Sequence, residues 1–255
     1  MGLSAVLLGR RGPTELVLVR HAESVGNVAD SEARAAGAER LELSARDADV
    51  ELSDNGREQA RTLGRWVAGL SEGDWPDLVM SSPYRRAAET ATMALGDRDV
   101  ELLLDERLRE RDLGVLDGLT STGIRKKYPE EAERRKWLGK FYYQPPSGES
   151  WADVALRVRS LVADLREGYD GCRVWLFTHQ AVIMSFRYVL EGLDEASLLE
   201  IDRETNIGNV SLTRYRRGED GMELLGFADD SHLEQGPAEK TEEPTRAGRG
   251  EPTDA

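Results

Sequence analysis

Short apolar runs recur along the chain and predict the strands of a central sheet. Such continuous runs are typical of strands that are buried on both faces, as in parallel sheets. Helical patterns separate several of the runs, which favours an α/β fold with a mostly parallel central sheet and helices on both faces. The predicted strands are 16–19, 78–80, 101–104, 174–177, 210–215 and 222–227.

Three helices are predicted by start signals and by apolar spacing. Ser53 is an N-cap residue followed by an apolar stripe between residues 60 and 70, and this spacing indicates an amphipathic helix. Ser150 and Asp153 have the spacing of a capping box. Residues 181–190 are apolar nearly all round, which indicates a central helix packed on the sheet.

Two segments interrupt this alternation. Residues 28–50 are polar and weakly patterned, and we interpret them as an inserted excursion. Residues 119–150, called the cap segment below, form a second, cap-like insertion. Its part 121–140 carries seven Lys and Arg residues against three Glu residues. Such a run is usually a solvated helix face, but its aromatic companions Trp137 and Tyr142 keep a substrate-facing cap open as an alternative.

The chain end has a different composition. Residues 236–255 are rich in Pro, Gly, Thr and Glu and contain no large apolar residue. Such a segment buries too little apolar surface to offset the entropy of ordering. We therefore predict one catalytic domain over 12–235 and a disordered acidic tail over 236–255.

Composition narrows the partners and the compartment. The formal net charge of -14 disfavours nucleic acid and anionic membranes, because both are polyanions. A single cysteine, Cys172, excludes an internal disulfide and a cysteine-cluster metal site. The first residues have no positively charged region, Val6 stands where a myristoylation signal needs Ser or Thr, and no run approaches the ~18 apolar residues of a membrane span. We expect a cytoplasmic protein.

Two of the three histidines occupy matching places. His21 follows the first predicted strand and His179 follows the fourth. Reactive groups gather beyond the carboxyl ends of parallel strands, so the two imidazoles are expected to meet in one crevice. Arg20 beside His21 indicates an anion, because a guanidinium matches phosphate geometry and stays charged.

A second cation and an acid follow the middle strands. Ser82 and Pro83 predict a helix start that places Arg85 and Arg86 in the opening turn, where free N–H groups favour an anion. Arg86 precedes two alanines, and is therefore the better candidate to point inward. Glu110 and Asp112 both offer a carboxyl group, and spacing alone does not choose between them.

Several motifs together resemble one family. RHAESVGN at 20–27 resembles the signature of the histidine phosphatase superfamily, the phosphoglycerate-mutase-like proteins. Later blocks are similar in the same order: LSDNGREQA at 52–60, SSPYRRAAETA at 81–91, RERDLGVLDGLT at 109–120, PSGES at 146–150 and FTHQ at 177–180. The resemblance covers roughly residues 14–232 and implies a phosphoglycerate-mutase-like fold.

The resemblance also implies catalytic roles. His21 matches the nucleophile that becomes phosphohistidine, while Arg20, Arg86 and His179 match the groups that hold the phosphoryl oxygens. Glu110 matches the acid that protonates the leaving oxygen and then activates water. The chemistry is consistent, because phosphoryl transfer needs charge stabilisation and alignment, which cationic side chains supply without a metal or other cofactor. A neutral His21 must attack, whereas a protonated His179 would serve better as a clamp.

Ser24, Asn27 and Gln180 are the predicted substrate-binding residues. Asn27 matches a polar contact near the phosphate. Gln180, like Ala22, stands where the family often has glycine, and it could narrow the pocket or add a contact.

The departures favour the phosphatase-type branch. The stretch after Asn27 lacks the Phe-x-Gly-Trp segment of cofactor-dependent mutases. We therefore expect a metal-independent phosphatase that hydrolyses a phosphate monoester of a small molecule. A phosphoglycerate-mutase-type phosphotransferase and a non-catalytic phospho-ligand binder stay open as alternatives, as does a homodimer. The basic cap segment suggests a leaving group with extra negative charge, so neutralising Arg134, Arg135 and Lys136 should raise KM while sparing kcat.

Overall fold

One six-stranded sheet forms the centre of the molecule. The computed structural model describes residues 11–98 and 100–241. Across the sheet the strands follow the order β3-β2-β4-β1-β5-β6. The strands are β1 Glu15–Arg20, β2 Leu78–Ser81, β3 Leu102–Leu104, β4 Arg173–Thr178, β5 Leu212–Arg217 and β6 Met222–Asp229.

The sheet is mostly parallel, as the apolar runs predict. Strands β1 to β4 pair in parallel, whereas β5 and β6 are antiparallel and extend one edge. The fifth strand starts at Leu212, not at Val210 as expected. Val210 has a φ of 54°, a left-handed conformation that a β-branched residue rarely adopts and that breaks the strand.

Helices cover both faces of the sheet, which confirms the predicted architecture. Leu16 and Leu18 of β1 pack with α6 and α7, while Val17 and Val19 pack with α2 and α3 on the other face. The helices are α1 Val25–Ala35, α2 Asp54–Ala68, α3 Arg85–Leu95, α4 Ser121–Lys127, α5 Pro129–Tyr142, α6 Trp151–Gly168, α7 Gln180–Leu190 and α8 Glu195–Glu204.

The predicted helix caps are confirmed at two places and wrong at a third. Ser53 Oγ accepts a hydrogen bond from Gly56 N at 2.9 Å, and Ser150 forms its capping box with Asp153. Helix α3, however, begins at Arg85 with Tyr84 as its N-cap, two residues later than the Ser82–Pro83 signal predicts. The hydroxyl of Ser82 is used elsewhere, as described below.

The two insertions contact each other. The 28–50 excursion includes most of α1 and a 3-10 turn at Asp47–Asp49, and Arg40 forms a bridge with Leu119 at the start of the cap segment. The cap segment contributes α4 and α5. Trp137 on α5 is 85% exposed and Tyr142 is 58% exposed, so neither side chain is part of the core.

The chain continues along the domain after the last 3-10 turn. Residues 236–241, which the composition assigns to the tail, form hydrogen bonds with Asn55, Gln59 and Asn209. The segments 1–10 and 242–255 lie outside the described residues, so the interpretation of the N-terminus and the disorder of 242–255 stay predictions. Within the described ranges, no helix combines the length and apolarity that crossing a membrane requires.

Candidate active site

The two histidines lie side by side where neighbouring strands end. Because β1 and β4 pair in parallel with Arg20 opposite Thr178, the residues that follow these strands emerge together. His21 N donates to Thr178 O at 2.9 Å, and the His21 and His179 ring centroids are 5.0 Å apart. Both side chains are buried, with exposures of 3% and 0%. The predicted convergence of the imidazoles is present in the structure.

The surroundings of His21 determine where its ring carries a proton. Its Nδ1 lies 2.7 Å from Ala22 O, and because a carbonyl oxygen only accepts, Nδ1 carries the proton. The lone pair of Nε2 is then available for attack. Burial, followed by the charges of Arg86 and Arg20, holds the pKa of His21 well below 6.5, so the ring is neutral at physiological pH.

His179 is held by the segment that precedes α3. Its Nε2 lies 2.9 Å from Ser82 Oγ, and the Tyr84 ring packs edge-on at 5.4 Å between centroids. Burial, then Arg86 and His21, hold the pKa of His179 well below 6.5. This differs from the protonated clamp that we expected, because burial, and after it the neighbouring guanidiniums, disfavour a further positive charge. A phosphate dianion bound between these groups would raise the pKa of His179, because a nearby negative charge favours the protonated ring.

Two arginines are buried beside the rings. Arg20 is 1% exposed, and its Nη1 donates a short hydrogen bond to Ile207 O. Arg86 is 5% exposed, and its Nη1 donates to Asp47 O at 2.6 Å and to Asp47 Oδ1 at 2.9 Å. The 28–50 excursion therefore brings a carboxylate onto a guanidinium predicted to hold phosphate. No pattern in the sequence indicates Asp47, since the excursion has no periodicity.

Glu110 lies on a loop that is tied to the same edge of the sheet. Thr178, the residue before His179, donates from Oγ1 to Leu108 O at 2.8 Å. Glu110 Oε1 accepts a hydrogen bond from Arg111 N at 2.7 Å. The Glu110 loop is thus fixed to the end of β4, two residues away from the predicted acid.

An ion-pair network supports this loop from α6. Arg157 donates to Glu110 O at 3.3 Å and from Nε to Glu149 Oε1 at 3.0 Å. Arg109 reaches the same Glu149 oxygen at 2.7 Å. The charge of Arg157 also contributes to lowering the pKa of His179. Glu149 belongs to the PSGES block, but no pattern in the sequence indicates this role for it or for Arg157.

The predicted substrate-binding residues have partly structural roles. Ser24 is the N-cap of α1, where its Oγ accepts from Asn27 N at 3.2 Å and its N donates to Asn27 Oδ1 at 3.0 Å. This capping box accounts for both residue types at this spacing. Gln180 opens α7, and among the described residues its Oε1 is buried without a hydrogen-bond partner. An amide oxygen only accepts, so only its Nε2 could hold a phosphate oxygen.

One basic residue of the cap segment interacts electrostatically with the loop that carries Glu110. Arg134 and Lys136 are exposed, whereas Arg135 is half-buried. Burial, followed by the charge of Arg135, lowers the pKa of Arg111 to about 10. Arg111 directly follows Glu110 in the chain. The positive charges of Arg111 and Arg135 therefore both act near the predicted proton donor.

The arrangement suits the transfer of a small, multiply charged anionic group. Four buried side chains, two imidazoles and two guanidiniums, surround one place, and a carboxyl group lies on an adjoining loop. Over residues 11–98 and 100–241, no group of three or more His, Cys, Asp or Glu side chains is placed to hold a metal ion.

Comparisons with known proteins agree with this geometry. Residues 16–230 match the model of the histidine phosphatase superfamily (branch 1). A 2,3-bisphosphoglycerate-dependent phosphoglycerate mutase of Methylorubrum extorquens (strain PA1) is 31% identical over 164 residues, covering 62% of this chain and 76% of the mutase.

Solved structures of phosphatases share the fold. A mycobacterial glucosyl-3-phosphoglycerate phosphatase in complex with VO3 has a TM-score of 0.67 and 28% identity, covering 86% of this chain and 99% of its own. The alpha-ribazole phosphatase of Shigella flexneri has a TM-score of 0.69 and 21% identity, covering 85% and 96%. At that identity the second likeness concerns the fold alone.

Proposed function

The chain belongs to the histidine phosphatase superfamily, branch 1, and on this premise we propose that it is a phosphomonoesterase acting through phosphorylated His21. The observation that carries the proposal is the buried pair of rings, 5.0 Å apart. Their pKa values are lowered first by burial and then by neighbouring charges that include Arg86 and Arg20. A neutral nucleophile beside fixed positive charge is what attack on a phosphate monoester requires.

The first step forms the phosphoenzyme. The Nε2 lone pair of His21 attacks phosphorus while the bond from phosphorus to the leaving oxygen breaks. Glu110, as a carboxylic acid, gives its proton to that oxygen. Arg20, Arg86 and His179 hold the remaining phosphoryl oxygens, whose charge they stabilise in a buried site where electrostatic interactions are strong. Ala22 O keeps the proton on Nδ1 throughout.

The second step releases phosphate. Glu110, now a carboxylate, takes a proton from water as the water oxygen attacks phosphorus. The bond from nitrogen to phosphorus breaks, and His21 returns to the neutral imidazole. No metal takes part in either step, because the cationic side chains supply the charge stabilisation.

The substrate is proposed to be a small phosphate monoester whose leaving group carries further negative charge. The half-buried Arg135 and its neighbour Arg111 support this, since they concentrate positive charge beside Glu110. Exposed Arg134 and Lys136 interact through solvent and contribute less.

A phosphoglycerate-mutase-type phosphotransferase is the second candidate. It is favoured by the curated relatives, among them the mutase that is 31% identical. The phosphatase proposal is favoured by the solved glucosyl-3-phosphoglycerate phosphatase at 28% identity and by the absence of the Phe-x-Gly-Trp segment. A non-catalytic binder on the same fold is disfavoured, because both His21 and Glu110 are retained.

A substrate screen separates these functions. The purified protein is offered sugar phosphates, nucleotides and phosphopeptides without added metal, and released phosphate is measured with the His21→Ala variant as control. Hydrolysis that depends on His21 is expected. Interconversion of 2- and 3-phosphoglycerate faster than hydrolysis of any ester would instead establish the mutase, and binding without turnover would establish the binder.

A further inference from the structure

The end of the described chain returns to the back of the site. Residues 236–241, called the C-terminal strap below, run beside α2. Gln59 on this helix donates from Nε2 to Glu239 O and to Thr241 Oγ1, both at 2.7 Å. Asn55 pairs with the same strap residue, donating to Glu239 O at 3.2 Å and accepting from Glu239 N at 3.0 Å.

Two buried amide side chains join the strap to the loop that carries the nucleophile. Gln59 is 0% exposed, and its Oε1 accepts from Glu23 N at 2.8 Å. Asn209 is 2% exposed, and its Nδ2 donates to His21 O at 3.0 Å. Asn209 Oδ1 in turn accepts from Thr241 Oγ1 at 3.0 Å. A single side chain therefore joins the strap to the main chain at each place: Gln59 at Glu23 and Asn209 at His21.

The hydrogen bonds have a single consistent direction. Gln59 uses its oxygen for Glu23 N, so both of its N–H groups are free to donate to the strap. The Thr241 hydroxyl accepts one of these hydrogen bonds and donates its own to Asn209 Oδ1. Asn209 must then donate to His21 O. Such chains strengthen cooperatively in a buried setting, and the loss of one member leaves its neighbours unsatisfied.

The backbone at the Asn209 end is strained, which shows that the position is fixed by its surroundings. Val210, with its φ of 54°, also donates from its N to His21 O at 3.4 Å. A β-branched residue adopts this conformation only where neighbouring contacts over-determine it. The strap supplies one such contact, because Asn209 N donates to Thr241 O at 2.9 Å.

We propose that Thr241 is a positioning residue for the nucleophile, which acts through Gln59 and Asn209 on the loop of His21. The proposal depends on the phosphohistidine mechanism above. In-line attack requires Nε2 to be placed to within a fraction of an ångström, and the main chain of His21 sets that place. Of the phosphate-holding groups, Arg86 and His179 are on other elements and Arg20 is held by the pairing of β1 with β4. Substrate affinity should therefore change little when the strap is loosened.

The test compares matched variants of the full chain. Thr241→Val keeps the shape but removes the hydroxyl, and Thr241→Ser keeps the hydroxyl. Lys240→Ala removes the ion pairs of the strap with Asp230 and Glu234, which do not lead to His21. Single-turnover phosphorylation of His21 is measured with an activated ester such as p-nitrophenyl phosphate. We expect Thr241→Val to lower this rate by about tenfold, with the Kd for inorganic phosphate within about twofold of wild type. Thr241→Ser and Lys240→Ala should stay within about twofold in both.

A second readout does not depend on catalysis. Amide hydrogen exchange at Glu23 N should be about tenfold faster in Thr241→Val, because its acceptor Gln59 loses a fixed partner. Thr241→Ala should show the same change if the valine variant does not fold. Unchanged exchange would contradict the link from Thr241 through Gln59 to Glu23 N. Faster exchange with an unchanged phosphorylation rate would contradict the positioning role. A wild-type protein that forms no phosphohistidine would instead overturn the proposed function.

Discussion

The floor of the site and the cap segment differ in burial and in the way that they present charge. Arg20, Arg86, His21 and His179 form the floor, and each is at most 5% exposed. On the cap segment, Trp137 is 85% exposed and five of the seven basic residues of 121–140 are exposed. The floor thus concentrates positive charge in a chain whose net charge is -14, whereas solvent screens the cap.

This difference separates chemistry from substrate choice. Buried guanidiniums and imidazoles lose hydration, which a bound phosphate can replace, so the floor should respond strongly to any substitution. Exposed charges contribute little individually and can change at low cost. We therefore expect floor variants to change kcat and cap variants to change KM.

The largest effect is expected at the nucleophile. His21→Ala should lower kcat by about 10⁴-fold or more, since no other group can form the covalent intermediate. His232, which packs against Trp66 at 5.7 Å between ring centroids, provides a matched histidine: His232→Asn should keep kcat within a few-fold at a temperature where it is folded. Equal losses in the two variants would mean that histidine substitution acts through stability.

The next effect concerns the acid. Glu110→Gln should lower kcat by roughly 10²- to 10⁴-fold, and p-nitrophenyl phosphate should show a fast burst followed by slow turnover. The burst is expected because this leaving group needs no proton, whereas hydrolysis of the phosphoenzyme still needs the base. Asp112→Asn is the control, since Asp112 is exposed and bonds to Gly114 N of its own loop. If Asp112→Asn lowered kcat as much as Glu110→Gln, the assignment of Glu110 as the acid would be wrong.

The cap should give a smaller effect, confined to KM. Arg135→Gln is expected to raise KM by about tenfold for an ester with an anionic leaving group, with kcat within about twofold. Arg134→Gln and Lys136→Gln should each change KM by less than about twofold. Phenyl phosphate, whose leaving group is neutral, is the control substrate. The same rise in KM for phenyl phosphate would show that Arg135 does not recognise the charge of the leaving group.

The smallest effect is the response of the floor to pH. Because burial and the neighbouring arginines lower the pKa of His21 and His179 well below 6.5, their ring NMR signals should not titrate between pH 6 and 8. A lowered pKa also means that the two rings favour the folded state at pH above 6.5, and that this stability is lost as the pH falls toward their folded-state pKa. A midpoint near 6.5 in the ligand-free protein would contradict the buried, neutral floor.

The sequence predicts the floor better than its surroundings for a physical reason. His21 and His179 each follow a continuous apolar run. Such a run is a local signal in the sequence that indicates both a buried strand and the residue at which the strand ends. Asp47 and Thr241 reach the site through side chains from segments with no periodicity. Their contacts depend on the folded positions of distant residues, so no spacing in the sequence indicates them.

Ser82 shows how a local signal can be read correctly and assigned wrongly. A serine before a proline is a sound helix start, yet the helix begins at Arg85 and the Ser82 hydroxyl bonds to His179. The same hydroxyl also accepts a hydrogen bond from Tyr84 N at 3.2 Å, so Ser82 shapes the turn before the helix and contacts the site as well. Arg86 still lies in the opening turn, so the predicted placement of this guanidinium holds.

The phosphoenzyme itself provides the most direct test of the proposed mechanism. Wild-type protein is mixed with a ³²P-labelled monoester that it hydrolyses, denatured in alkali to preserve phosphohistidine, and digested for mass spectrometry. We predict one labelled peptide, phosphorylated at His21, which loses its label in acid and is absent from His21→Ala. Label on another residue, or hydrolysis at the full rate with no label trapped on a millisecond timescale, would contradict the central claim.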